Sequence, residues 1–169
     1  MVYNSCFDII GPIMVGPSSS HTAGVVSIGS FVYNLLDGAP DKVNIIFYDS
    51  FAETYKGHGT DKAIVGGLLG MTTDDVRIRD SLTIAREQGI EVTFKLKGQC
   101  PYYDHPNIVF IQAEKQGELL AVGGVSLGGG ISKVFHINGF SVTILLNAPY
   151  DREQVREYRK KRIYSVGIG

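Results

Sequence analysis

Asn138-Gly139, set between the apolar runs Lys133–Ile137 and Phe140–Leu146, constrains the fold of this chain more than any other dipeptide in it. The tightest hairpin turn needs a left-handed backbone at both central residues, which Asn and Gly tolerate and most side chains do not. The two runs are therefore predicted to be neighbouring antiparallel strands. The chain before them repeats the device: Ile108–Glu114 leads through Lys115-Gln116-Gly117 into Glu118–Ser126, a second hairpin. Residues 98–107 read as a loop ahead of it.

Helical spacing dominates the first half. Val25, Ile28, Val32 and Leu35/Leu36 recur at three and four residues, predicting a helix over 22–36 that Asp37-Gly38-Ala39-Pro40 stops. Lys42–Tyr48 is β-rich, and Phe51–Tyr55 is read as extending it. A second helix is expected over Asp61–Leu69 and a third over 74–88, capped by Thr73-Asp74-Asp75 and ended by Gly89. Gly66-Gly67 weakens an isolated helix by about 1 kcal/mol per residue relative to Ala, so the pair suggests close helix packing. Ile90–Leu96 alternates as a strand, residues 3–15 suggest a short helix, and Asp151–Lys161 a charged one. The predicted fold is α+β: a mixed or mostly antiparallel sheet with helices packed on one face.

The 169 residues are read as a single domain, 1–169, with 44% apolar residues to build its core. A net charge of −1 argues against an electrostatic nucleic-acid binder. The late basic cluster, Arg152 to Arg162, is interleaved with Asp151, Glu153 and Glu157 and reads as a solvated helix face. No run approaches the roughly 20 apolar residues that cross a bilayer, and no basic-then-apolar signal segment opens the chain. Cys6 and Cys100 form no disulfide framework or Cys-x-x-Cys site, which fits two reduced thiols and a cytoplasmic location.

The chemistry concentrates in Gly16-Pro17-Ser18-Ser19-Ser20-His21-Thr22-Ala23-Gly24. Five hydrogen-bonding side chains stand together at a helix start, where one Ser or Thr suffices as a cap. Free amides and the positive end of the helix dipole attract carboxylates and phosphates there, so an anion site is favoured over a simple cap. Adjacent Ser20 and His21 do not make a nucleophile–base pair, since neighbouring side chains diverge. The histidines and cysteines show no zinc-ligand spacing, and neither a Gly-x-Ser-x-Gly elbow nor a P-loop is present.

Gly-Pro-Ser-Ser-Ser-His-Thr-Ala-Gly resembles the signature of the beta chain, or beta domain, of bacterial iron–sulfur-dependent L-serine dehydratases. Tyr55-Lys56-Gly57-His58-Gly59-Thr60-Asp61 is similar to that family's Gly-Lys-Gly-His-Gly-Thr-Asp segment, with Tyr55 in place of the leading glycine. His105-Pro106-Asn107 and Gly128-Gly129-Gly130 are weaker echoes in the same order. The resemblance implies a fold similar to the allosteric substrate-binding domain of some phosphoglycerate dehydrogenases. It implies conversion of L-serine to pyruvate and ammonia, with a 4Fe-4S cluster held by a partner alpha chain and no metal in this one. By that resemblance Ser18, Ser19, Ser20, His21 and Thr22 bind the substrate, with Lys56, His58, Thr60 and Asp61 as secondary candidates. The general base is expected on the alpha chain, and no catalytic residue is assigned here. A homodimer is compatible with the same family. A regulatory ACT domain commonly follows in the two-subunit form; this chain ends near where one would begin, and none is expected within it. The other class of serine dehydratases uses pyridoxal phosphate, for which no lysine and glycine-loop pattern is seen. An alternative function is a regulatory serine-binding module with no direct catalytic part.

Overall fold

The computed structural model describes residues 20–56 and 59–161, with Ser20 and His21 described by their backbone alone. The expected helix over 3–15 lies outside these residues, as do Ser18, Ser19 and His58.

Six strands form one sheet: β1 (Lys42–Tyr48), β2 (Glu91–Lys97), β3 (Ile108–Lys115), β4 (Glu118–Gly128), β5 (Ile131–Ile137) and β6 (Phe140–Leu145). Their spatial order is β2-β1-β3-β4-β5-β6. β1 and β2 are parallel, and every other neighbouring pair is antiparallel. Both hairpins turn where expected. Gln116-Gly117 and Asn138-Gly139 all take positive φ, at 51°, 79°, 50° and 93°. Asn138 also accounts for itself beyond the turn. Its side-chain oxygen accepts from Ala121 N at 2.8 Å, and its amide donates to the Tyr158 carbonyl at 3.2 Å.

The helices cover one face of the sheet. α1 (Ser20–Leu36) is the central one, and its Val25, Ile28, Val32 and Leu36 are all but inaccessible. Burying an aliphatic side chain of this size contributes about 1.5–3 kcal/mol. These residues meet Val43, Ile45, Phe47, Val109, Ile111, Val122 and Val134 from the sheet, the alternate positions of each strand. The opposite positions, Ile46, Tyr48, Ile108, Phe110, Val125 and Phe135, form a second cluster that Cys100 and Tyr103 of the 98–107 loop help to cover. Desolvation there, with Cys100 and Tyr102 nearby, pushes the Tyr48 phenol up to about 12.

α3 (Thr60–Leu68) lies directly on α1. The contact is backbone on backbone. A Cβ on Gly67 would stand 2.3 Å from the Val26 carbonyl oxygen, and one on Gly29 would stand 2.5 Å from that of Ile64. The Gly66-Gly67 pair thus marks the close packing that the sequence suggested.

Two expectations are corrected. Phe51–Tyr55 does not extend the strand; the chain turns at Asp49, with φ of 47°, into a short helix, α2 (Asp49–Thr54). The four-residue spacing of Phe51 and Tyr55 brings both rings onto Phe47, with centroids 6.0 and 5.4 Å away. The third helix divides into a 3-10 turn, Val76–Asp80, and α4 (Ser81–Glu87). Asp75 caps the first part by accepting from Arg77 N at 2.9 Å.

The charged helix α5 (Arg152–Lys160) is capped by Asp151, which accepts from Glu153 N and Gln154 N. Its basic face is not wholly solvated. The Arg159 side chain is 19% exposed. It donates to the Leu35 carbonyl at 2.6 Å, to Asp37 at 3.1 Å and to both oxygens of Glu118. One guanidinium therefore ties α5 to the end of α1 and the start of β4.

Candidate functional site

The topology gathers the sequence motifs at one end of the molecule. β1 and β2 are parallel and both finish there, at Tyr48 and Lys97. β3 begins there, because Phe47 pairs with Val109. β4 ends and β5 begins there, since Ile108 pairs with Val125 and Ser126 with Ser132. α1 reaches the same end with its first turns. A Cβ on Gly24 would lie 2.7 Å from Ser126 Oγ and 3.2 Å from the Ile131 carbonyl oxygen. α3 opens at this end too: Thr60 N donates to the carbonyl of Tyr55, whose ring stacks on Phe47 near the close of β1, and the chain after α3 returns to the far end, where Glu91 N donates to the Asp41 carbonyl. The N-terminus of α3 therefore lies at the same end as that of α1.

The glycine cluster and the His105 loop join them. Gly128, Gly129 and Gly130 take successive φ values of 86°, 62° and 76° in the turn between β4 and β5, beside the strand positions that touch Gly24. The Asn107 carbonyl accepts from Ser126 N at 3.0 Å. His105 Nδ1 accepts from Asn107 N at 3.1 Å, so this imidazole shapes its own turn.

In the described part of α1, Ser20, His21 and Thr22 are helical. Thr22 is 1% exposed, within the packed interior. Lys56 lies at the surface, with its ammonium 5.8 Å from the centroid of the Tyr55 ring. Thr60 and Asp61 are buried, at 2% and 8% exposed. They are not the cap of α3. Gly59 holds that position with φ of 70° and no side-chain bond, and Asp61 Oδ1 accepts from Lys62 N at 2.8 Å. Ser81 Oγ donates to the Lys62 carbonyl at 2.7 Å and secures the same turn.

The two helix starts differ electrostatically. α3 carries Asp61 in its first turn, which opposes the positive end of its own dipole. The first turn of α1 carries no acidic residue. Of the two, the start of α1 is the one suited to an external anion, since Asp61 already supplies negative charge at the start of α3.

The remaining histidine is structural. His136 sits on β5 at a bulge, 5.2 Å from the Phe110 ring, and its Nε2 accepts from Gly139 N at 3.1 Å. Burial holds its pKa below the usual histidine range. Among the described residues no three His, Cys, Asp or Glu side chains gather as a metal site. Cys100 is a free, buried thiol among Ile46, Tyr48 and Phe110. These residues do not fit the ligand set of an iron–sulfur cluster, which needs several cysteine thiolates. No helix among the described residues is long and apolar enough to cross a membrane.

Ser126 and Ser132 were not singled out by sequence. They are 0% and 1% exposed and pair across β4 and β5. The signal was available in the hairpin register: both fall on the core-facing alternate positions with Val122 and Val134, where a hydroxyl is out of place.

A family model described as "Serine dehydratase beta chain" matches residues 5–169. The chain is 46% identical over 149 residues to the "Probable L-serine dehydratase, beta chain" of Bacillus subtilis (strain 168), covering 88% of this chain and 67% of that protein. It is 42% identical over 156 residues to the "L-serine dehydratase, beta chain" of Peptoniphilus asaccharolyticus, covering 88% and 70%. Identity to "L-serine dehydratase TdcG" of Escherichia coli (strain K12) is 32%, covering 95% of this chain and 40% of that protein.

Proposed function

The chain belongs to the serine dehydratase beta chain family, and from that premise we propose that it serves as the substrate-binding half of an L-serine dehydratase. In this reading L-serine is converted to pyruvate and ammonia only when an alpha chain is present. The observation that carries the role is the opening of the described part of α1, where Ser20, His21 and Thr22 stand with no acidic residue, whereas α3 opens with Asp61.

The reaction removes a proton from the α-carbon and the hydroxyl from the β-carbon of the same small molecule. Both bonds must be held in alignment, which requires that the carboxylate be pinned. Backbone amides at the start of α1, with Ser18, Ser19, Ser20 and Thr22 hydroxyls, are suited to that anion. His21, whose ordinary pKa is about 6.5, adds a charge-assisted donor when protonated. Lys56 and His58 are assigned to the rim, and the buried Thr60 and Asp61 to positioning the first loop. In this reading the cluster and the general base belong to the alpha chain. A cytoplasmic location and a single domain over 1–169 complete the proposal.

Carboxylate recognition is tested by inhibition of pyruvate formation in the assembled enzyme. L-Serinamide, which lacks the charge, is expected to compete far more weakly than a three-carbon hydroxy acid that keeps it. Ser20→Ala and His21→Ala are each expected to narrow that difference by about tenfold, the size of one lost charge-assisted hydrogen bond. Variants that retain the full difference while altering only activation by serine would replace this role with that of a regulatory module.

A further inference from the structure

β6 ends the sheet on one side, and no described strand lies beyond it. Its side chains alternate: Val142, Ile144 and the following Leu146 turn to the core, while Ser141, Thr143 and Leu145 are exposed. Main-chain groups alternate in the same phase. Leu146 N donates to the Ser132 carbonyl at 3.0 Å, so the residues in phase with it bond to β5. Ser141, Thr143 and Leu145 therefore direct their N–H and C=O groups to the open edge, and among the described residues no main-chain bond from outside the sheet reaches them. Such an edge is a template for another strand, and proteins commonly blunt it with charge or proline. The opposite edge, β2, carries Glu91, Lys95 and Lys97. β6 reads Phe140-Ser141-Val142-Thr143-Ile144-Leu145, with neither charge nor proline. A groove of 550 Å³ runs beside it, walled across from the strand by Tyr150, Gln154 and Tyr158. Asp151, the carboxylate that lines this groove, is engaged in capping α5.

We propose that the β6 edge is the docking surface for a second copy of this chain, the two β6 strands pairing antiparallel about a two-fold axis at Thr143 to join the two sheets into one. The strand is its own complement. In that register Thr143 stands opposite Thr143 and Ser141 opposite Leu145, so the three outward positions of one copy meet the three of the other as hydrogen-bonded pairs. Val142 of one copy stands opposite Ile144 of the other, on the side that carries α5. Because no ionised side chain lies along the strand, the symmetry brings no like charges together. The proposal is independent of the carboxylate-binding role assigned above.

Sedimentation of the full chain over a range of concentrations tests it. The wild type is expected to form a dimer. Thr143→Pro removes an N–H that faces the edge and none that bonds to β5, so the sheet itself is retained. By symmetry it removes two hydrogen bonds from the interface, and the dimer Kd is expected to rise about thirtyfold. Thr143→Lys and Thr143→Glu change only an exposed side chain, and they stand in if the proline variant does not fold. Each alone is expected to dimerise more weakly, since like charges then stand opposite each other at the axis. An equimolar mixture of the two is expected to recover the wild-type affinity. A wild-type chain that stays monomeric, a dimer that none of the variants weakens, or a mixture no tighter than either variant alone overturns the proposal. So does a monomeric wild type whose assembly with an alpha chain is lost in Thr143→Pro, which would give the edge to a strand of that partner.

Discussion

Single residues show where charge is used for structure and where it is held away from chemistry. Arg159 lies in a run that looks like a solvated face, yet it donates to a main-chain carbonyl of α1 and to two carboxylates. Arg159→Ala is expected to lower the unfolding free energy by about 2 kcal/mol, because the Leu35 carbonyl and Glu118 lose a shared charged donor. Arg159→Lys should recover only part of it, since an ammonium cannot make the forked contact. Urea titration of the three proteins measures both. Asp37 faces Arg159 and Arg156, whose hydrogen bonds hold its carboxyl below its ordinary 3.8. Its contribution is present above that value and is lost as pH falls through the lower folded pKa. His136 behaves differently: burial disfavours its charged form, so the unfolded chain binds the proton first. Stability should therefore fall as pH drops below about 6.5, until the folded imidazole also titrates. His136→Phe should flatten that slope between about pH 7 and 5 while losing the bond from Gly139. A slope equal to that of the wild type would contradict the assignment.

Among the elements, α1 and α3 illustrate a contest between propensity and packing. Gly67→Ala would favour the helix by about 1 kcal/mol in isolation. In the protein the new Cβ meets the Val26 carbonyl oxygen at 2.3 Å, and backbone cannot move aside as a side chain can. The net effect is expected to be a loss of about 2 kcal/mol, read as a lower urea midpoint with an unchanged m-value. The glycine pair made this contact legible in the sequence, as the 3.6-residue period did for α1 and Asn138-Gly139 for the β5–β6 hairpin. Other elements were misread for local reasons. Phe51 and Tyr55 are aromatic and β-prone, but both stack on Phe47, a tertiary partner that no local pattern announces. The third helix begins as a 3-10 turn capped by Asp75, whose side chain accepts from Arg77 N. Pattern alone does not distinguish that turn from an α-helical one.

At the scale of the molecule, one mixed sheet carries the described parts of the motifs to one end. The strand order β2-β1-β3-β4-β5-β6 brings the β1 and β2 carboxyl ends, the 98–107 loop and the glycine turn beside the starts of α1 and α3. The helix that follows the serine run was legible from its period, and Asp61 as the opening of a second helix. Their shared end was not, because it depends on the parallel pairing of β1 with β2 and on the packing of Gly24 against Ser126, residues far apart in the chain. Ser126 and Ser132 were hidden for the same reason, since serines in strands are unremarkable until the register places them opposite each other under α1. The central claim is that this chain supplies the half of the enzyme that holds L-serine. Pyruvate formation from L-serine, measured without oxygen for each chain alone and for the two together, tests it most directly when the mixture is repeated with Ser20→Ala/His21→Ala. Activity in the mixture alone, with KM raised in the variant, is the predicted result. Full activity of the alpha chain by itself, or an unchanged KM in the variant, would contradict the account.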